Sequence, residues 1–165
     1  MTRDFVELMA GRTLAAPRSL GLPFREMQQQ AAHSRSLVLI LARDLASRLA
    51  TPVFVVDAEG TLIYFNEAAE AVLGRSYARF GESRAEEWRA AFQPTDEAGN
   101  PLPLEELPLG QALTHRRPAH RSIRIQAGDG VQRDLAVTAF PLFAHKEEFI
   151  GALAVFWERN DENDA

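Results

Sequence analysis

The sequence predicts an α+β protein in which a five-stranded antiparallel sheet carries helices on one face and follows a long N-terminal helix. Three observations predict this class. Short β-branched and aromatic runs are separated by turn residues, a well-capped helical pattern follows the second run, and a proline-bounded helical pattern precedes the first run. The predicted order is a long helix, two strands, a helical middle and three strands.

The N-terminal part is predicted to form two segments. Residues 1–22 are expected to be a flexible segment with a short helix. Pro23 suits the first turn of a helix over 23–50, which ends because the residue before Pro52 is pushed out of the α region. Apolar residues at alternating steps of three and four along this helix are typical of a coiled-coil seam. We expect it to dimerise and transmit a signal through Phe24, Met27, Ala31, Val38, Leu41, Leu45 and Leu49.

The next segment predicts a hairpin and a capped helix. Strands over 53–56 and Leu62–Phe65 flank the turn 57–60, whose last residue is glycine. Asn66 stands where an N-cap is expected, since its side-chain oxygen can accept a backbone N–H. Gly74 can close the helix that follows.

The final part predicts a three-stranded meander, with strands over 121–126, 133–142 and 150–157. The glycine-containing turn 127–130 joins the first two of these strands, and the polar turn 144–148 joins the last two. The last strand does not alternate apolar with polar residues, so both of its faces should be buried. The N-terminal helix, from this chain or from a dimer partner, is the expected cover of its outer face. Coiled-coil pairing and packing on the sheet need not exclude each other.

Three segments together resemble the PAS domain family, namely 54–69, 94–109 and 137–142. The first has Asp57, Gly60 and Asn66 in the order found at the opening of a PAS domain. The other two are similar to middle and late segments of PAS domains common in bacterial signalling proteins. The resemblance covers residues 51–158, implies the PAS fold, and leaves 159–165 as an acidic, disordered tail.

Composition limits the classes of partner. The 165 residues include 18 basic and 23 acidic side chains, a net charge of −5, which disfavours a nucleic-acid-binding surface. The absence of cysteine excludes a thiol nucleophile, a thiolate metal site and a disulfide framework. No export signal or bilayer-length apolar run is present, so we expect a cytoplasmic protein without a membrane or nucleic-acid partner.

The PAS resemblance implies a ligand or cofactor held between the sheet and the middle helices. Many of the same side chains would form the core of any such fold, even without a ligand. The candidate ligand-binding residues are Val56, Ile63, Phe65, Leu73, Trp88, Leu109, Gln111, Leu113, Ile125, Val137 and Phe156.

The amino-acid composition also limits which cofactors the chain can bind. A flavin photoadduct of the kind found in light-sensing PAS domains needs a cysteine, which this chain lacks. His115 and His120 are weak candidates for haem ligands, because a neutral imidazole binds iron well. His115, however, lies at an expected helix end, where a surface or capping role is favoured. We expect no metal site, and the cofactor is either unknown or absent.

No catalytic constellation is evident. Glu105 and Glu106 are adjacent and therefore point about 100° apart on a helix. No nucleophile elbow, phosphate-cradling glycine loop or zinc helix occurs. We expect a stand-alone, non-enzymatic sensory or regulatory module that forms a homodimer and binds a small apolar ligand or a signalling partner protein. The alternatives are a haem or flavin gas or redox sensor, an interaction module that regulates a kinase, phosphatase or transcription factor, and a small cone-shaped α+β hydrolase or isomerase.

Overall fold

The computed structural model describes residues 24–159, without the side chains at 24, 30–36 and 146. The predictions for 1–22 and for the tail from 160 onward lie outside the described residues. The elements along the chain are α1 Phe24–Ser47, β1 Val53–Asp57, β2 Leu62–Phe65, α2 Glu67–Leu73, α3 Tyr77–Phe80, α4 Ala85–Phe92, α5 Pro108–His115, β3 Ala119–Gln126, β4 Gln132–Phe143 and β5 Phe149–Glu158.

The five strands form one antiparallel sheet in the order β2-β1-β5-β4-β3. This confirms the predicted α+β class and sheet. The last strand of the chain, β5, lies at the centre and pairs with β1 on one side and β4 on the other. Its central position explains why its sequence is apolar on both faces. The predicted turn 144–148 also contains a short 3-10 turn at His145–Glu147.

Helix α2 has the caps that the sequence predicts. Asn66 is in the extended region, and its side-chain Oδ1 accepts the N–H of Ala69 at 3.0 Å. Gly74 ends the helix with φ of 64°, and a Cβ there would lie 2.7 Å from the backbone nitrogen of Asp129. Glycine is therefore required both by the left-handed backbone and by the close approach of the β3–β4 turn.

Helices α2, α4 and α5 pack on one face of the sheet, here called the inner face, and their apolar side chains form the main core with it. A second, smaller cluster lies on the opposite, outer face. There Ala46 near the end of α1 is fully buried against Val53 and Val55 of β1, together with Leu153 and Val155 of β5. Helix α1 thus lies on the side of the sheet away from the other helices.

Strand β2 carries one residue more than its partner β1. Val55 pairs with Tyr64, and Val56 pairs with Leu62, so the register shifts by one residue at Ile63. A β-bulge of this kind breaks the alternation of faces. Leu62 and Phe65 belong to the inner core as a result, whereas Ile63 and Tyr64 both belong to the outer cluster.

Candidate functional site

An apolar cavity of about 70 Å³ lies between the inner face of the sheet and the helices. Only apolar surface faces it. Side chains from β1, β3, β4 and β5 form its floor, and residues from α2, α4, α5 and the segment before α5 form its walls. The lining residues are Phe54, Leu73, Trp88, Phe92, Pro94, Leu107, Pro108, Leu109, Ile123, Ile125, Leu135, Val137, Ala154 and Phe156.

Aromatic rings fix the shape of one wall. The ring of Phe54 meets the edge of Trp88 at a centroid distance of 5.4 Å and that of Phe92 at 6.5 Å. Edge-to-face contacts of this kind are favourable beyond the burial of their area. Trp88 Nε1 donates to the carbonyl oxygen of Gly60 at 3.1 Å, so its polar atom already has a partner outside the cavity.

The size of the cavity limits what it can hold. An engineered protein cavity of about 150 Å³ stays dry and binds benzene or xenon, whereas pockets for drug-sized ligands measure about 300 Å³ or more. A void of about 70 Å³ suits an uncharged, apolar molecule of only a few heavy atoms. Haem and flavin do not fit it, because both are far larger and both carry polar groups that this lining cannot satisfy.

The structure brings together one group of the predicted ligand-binding residues. Those that line the cavity are Leu73, Trp88, Leu109, Ile125, Val137 and Phe156. Val56 and Phe65 are buried in the same core but do not line the cavity, and Leu113 packs on the edge of that core. Gln111 lies in a surface depression beside His115.

Ile63 requires a correction, because it belongs to the outer cluster and not to the cavity side of the sheet. In a regular strand Ile63 and Phe65 would share a face, because they lie two residues apart. The bulge in β2 removes that regularity. Nothing in the local sequence of β2 marks the bulge, because glycine and proline are both missing from it.

Several cavity residues were missed by the sequence reasoning although a signal for them existed. Four of them lie on strands, each two positions before a predicted ligand-binding residue. Because residues two apart on a strand share a face, strand periodicity predicts these four as well. These are Phe54, Ile123, Leu135 and Ala154. The remaining ones are Phe92, Pro94, Leu107 and Pro108. They come from α4, from the segment between α4 and α5 and from the first residue of α5, and their placement depends on tertiary packing.

Both histidines considered as haem ligands lie away from the cavity. His115 ends α5 and is exposed. His120 Nδ1 lies 2.7 Å from Thr138 Oγ1, and its ring stacks on Trp157 at 6.4 Å. Neither imidazole is among the cavity-lining residues. Among the side chains that the structure describes, no group of three or more histidine, aspartate or glutamate residues is arranged to hold a metal ion.

The second feature of interest is the attachment of α1. The Arg43 guanidinium lies 4.9 Å from the ring centroid of Tyr64 and 5.8 Å from that of Tyr77, within cation–π range. Tyr77 donates its O–H to the carbonyl oxygen of Ile63. Burial, with the nearby Glu82 carboxylate, raises the pKa of Tyr77, so its phenol stays protonated and keeps donating. These contacts hold the last turns of α1 on the β1–β2 side of the sheet.

The opposite side of α1 is not covered by any other described residue. Of the predicted dimer residues, Met27, Leu41 and Leu45 are each more than half exposed, at 57%, 56% and 58%. Leu49 is 40% exposed and Val38 is half-buried. The side chains of Phe24 and Ala31 lie outside the described residues. In the described part of the chain, no helix is both long enough and apolar enough to cross a lipid bilayer.

Comparison with solved structures finds PAS domains. The PAS domain of BvgS from Bordetella pertussis matches with a TM-score of 0.52 and 16% identity, over 75% of this chain and 87% of that one. A LOV protein from Rhodobacter sphaeroides matches with a TM-score of 0.61 and 14% identity, over 78% and 71%. The PAS domain of nitrogen regulation protein NR(II) from Vibrio parahaemolyticus matches with a TM-score of 0.52 and 20% identity, over 72% and 98%.

Comparisons at the level of sequence give no match. No protein-family model and no curated protein matches the chain. The similarity to the solved structures is therefore a similarity of fold, and the features of this chain that bear on function are the cavity and α1.

Proposed function

The chain has the PAS fold, and from this premise we propose that it is a cytoplasmic sensory or regulatory module that binds a small apolar molecule in its core cavity. Its output passes through α1 and a homodimer. The role is binding and signalling rather than catalysis. The observation that carries the proposal is the cavity itself, a void of about 70 Å³ with a wholly apolar lining between the sheet and the helices.

Two effects would stabilise a small apolar molecule in this cavity. It would make dispersion contacts with the apolar lining, and it would itself be removed from water. Binding that favours one packing of the cavity walls then shifts the population of conformations toward that packing.

The exposed stripe on α1 supports the homodimer. Leu37, Leu41 and Leu45 follow one another at steps of four and are each more than half exposed. Residues four apart share one face of a helix, so these side chains form a continuous apolar strip. Pairing with the same strip of a second copy would remove it from water, as in a coiled coil.

A second candidate function is an interaction module for a partner protein. The outer face of the sheet carries exposed aromatic side chains, with Phe140 at 40% and Trp157 at 48% exposure. Phe143, at the end of β4, is 42% exposed. Exposed aromatic groups of this type are frequent at protein–protein interfaces. In this case a signalling partner would cover the outer face of the sheet, and the cavity would bind no ligand.

Xenon is a suitable probe of the cavity because it is apolar and small. In the wild-type chain we expect xenon to shift the amide NMR signals of Leu73, Leu109 and Val137, which line the cavity. Ala154→Val adds two methyl groups to the cavity wall and should reduce these shifts by about tenfold or more. The matched control is Ala136→Val on the neighbouring strand, since Ala136 is outside the cavity lining.

Three results separate the two candidate functions. Loss of the xenon shifts in Ala154→Val but not in Ala136→Val supports ligand binding in the cavity. Equal shifts in both variants would place xenon elsewhere and contradict that proposal. A chain that shows no xenon shifts at all, yet loses a bound partner protein on Trp157→Ala, would favour the interaction module.

A further inference from the structure

Asn66 makes more contacts than a helix cap requires. It lies between β2 and α2 and is 1% exposed. Its Oδ1 accepts two backbone N–H groups, from Val53 and from Ala69, each at 3.0 Å. Its Nδ2 lies within donor distance of three carbonyl oxygens, those of Ala46 at 2.9 Å, Leu49 at 3.2 Å and Thr51 at 2.8 Å.

The three carbonyls belong to the end of α1 and the residues that lead from it to β1. The last carbonyls of a helix have no partner within the helix and need one from elsewhere. The carbonyl oxygen of Ala46 accepts the N–H of Leu49 at 3.2 Å and also the side-chain amide of Asn66, which lies 20 positions later in the sequence. The amide of Asn66 therefore contacts the C-terminal end of α1 and the residues after it, and it also caps the N-terminus of α2.

The donor is shared among more acceptors than it can satisfy at once. An asparagine NH₂ group has two hydrogens, whereas three carbonyl oxygens lie within reach. Two of them can receive well-aligned hydrogen bonds while the third receives a weaker, shared one. A small rotation of the amide would change which pair is satisfied.

The same residue is linked to the cavity by a short rigid element. Helix α2 begins directly after Asn66, and its last residue is Leu73, which lines the cavity. The helix is about two turns long, so the backbone of α2 directly connects Leu73 with the cap at its other end.

We infer that Asn66 is the positioning residue that couples the cavity to α1. Occupancy of the cavity moves α2, the Asn66 amide redistributes its two hydrogens among the carbonyls of Ala46, Leu49 and Thr51, and the end of α1 changes its direction. The coupling rests on the proposed function, because it begins with a ligand in the cavity.

The substitution Asn66→Asp removes the donor half of this arrangement. Aspartate keeps the oxygen that accepts from Val53 and Ala69, but the ionised side chain has no N–H and places a buried negative charge against the three carbonyl oxygens. We expect hydrogen exchange at the amides of Arg48 and Leu49 to become at least about tenfold faster, while exchange in β4 and β5 stays governed by global unfolding. Asn100→Asp is the matched control, because Asn100 donates from Nδ2 to Asp96 in an exposed turn remote from α1.

Xenon binding distinguishes coupling of the cavity to α1 from a purely structural role of Asn66. In the wild type it should shift the amide signals of Leu73 and Leu49 together with the side-chain NH₂ signals of Asn66. In Asn66→Asp it should still shift the amide signal of Leu73 but not that of Leu49. Equal xenon shifts at Leu49 in both chains would overturn the inference. The wild-type NH₂ signals test it without any variant, so poor folding of Asn66→Asp leaves the test intact.

The ligand-binding proposal and the coupling through Asn66 are contradicted by different results. If xenon shifts Leu73 in the wild type but leaves Leu49 and the Asn66 NH₂ group unchanged, the coupling is wrong and the ligand-binding proposal stands. If xenon shifts none of these signals, the proposed cavity ligand is wrong and the coupling falls with it.

Discussion

Replacing Trp88 with alanine is expected to lower the free energy of unfolding by about 3 to 5 kcal/mol. The ring is 5% exposed, packs edge-to-face on Phe54 and forms a wall of the cavity. Its removal also leaves the carbonyl oxygen of Gly60 without the indole N–H. Urea unfolding measures the loss. Trp157→Ala removes the same side chain from a site that is 48% exposed and should cost far less.

The enlarged cavity of Trp88→Ala gives this prediction a second, more specific readout. Free indole has the shape of the missing ring and can restore the hydrogen bond to Gly60. At a hundredfold excess over its dissociation constant, a ligand adds about 2.7 kcal/mol of stability. We expect indole to raise the stability of Trp88→Ala and to leave that of Trp157→Ala unchanged. Equal effects on both variants would mean that indole does not enter the cavity.

The second large effect is expected on α1. Glutamate at both Leu41 and Leu45 places two charges in the apolar strip, where pairing of two copies would have to bury them. The dissociation constant of the dimer should rise by about a hundredfold or more, which sedimentation equilibrium measures. Because both leucines are more than half exposed in the single chain, the fold and its circular dichroism should stay unchanged.

The control for this experiment is the double substitution Gln28→Glu and Ser47→Glu. It adds the same charge to the same helix at exposed polar positions outside the strip. A control that dissociates as strongly as Leu41→Glu with Leu45→Glu would show that charge, rather than loss of the apolar strip, disrupts the dimer. A wild-type chain that is monomeric at all concentrations would rule out pairing through α1.

The sheet was predictable because its signals are local. Each hairpin is marked by a turn with its own chemistry, such as the glycine at position 60, and each strand by β-branched or aromatic residues. The caps of α2 could also be read directly, since Asn66 and Gly74 act within a few residues of their own positions. The bulge in β2 could not, because it results from pairing with β1 and has no glycine or proline to mark it.

The candidate site was predictable only in part, for a related reason. Strand periodicity places Ile125, Val137 and Phe156 on the inner face, and the same rule, carried two residues further, gives Ile123, Leu135 and Ala154. The hydrogen bonds that the side-chain NH₂ group of Asn66 donates could not be predicted in this way. A side-chain amide that contacts the end of α1 and also caps α2 depends on how the two helices are placed in three dimensions, and sequence spacing does not encode that placement.

The central claim, that a small molecule in the cavity changes the pairing of α1, is tested most directly by a distance measured across the dimer. Because the chain has no cysteine, Gln28→Cys provides a single attachment point for a spin label on α1. Pulsed electron paramagnetic resonance would give the label-to-label distance with and without xenon. The account predicts a distance distribution that shifts with xenon in the Gln28→Cys chain but not when Ala154→Val is also present. An unchanged distribution, in a sample where the Leu73 amide signal shows that xenon is bound, would contradict it.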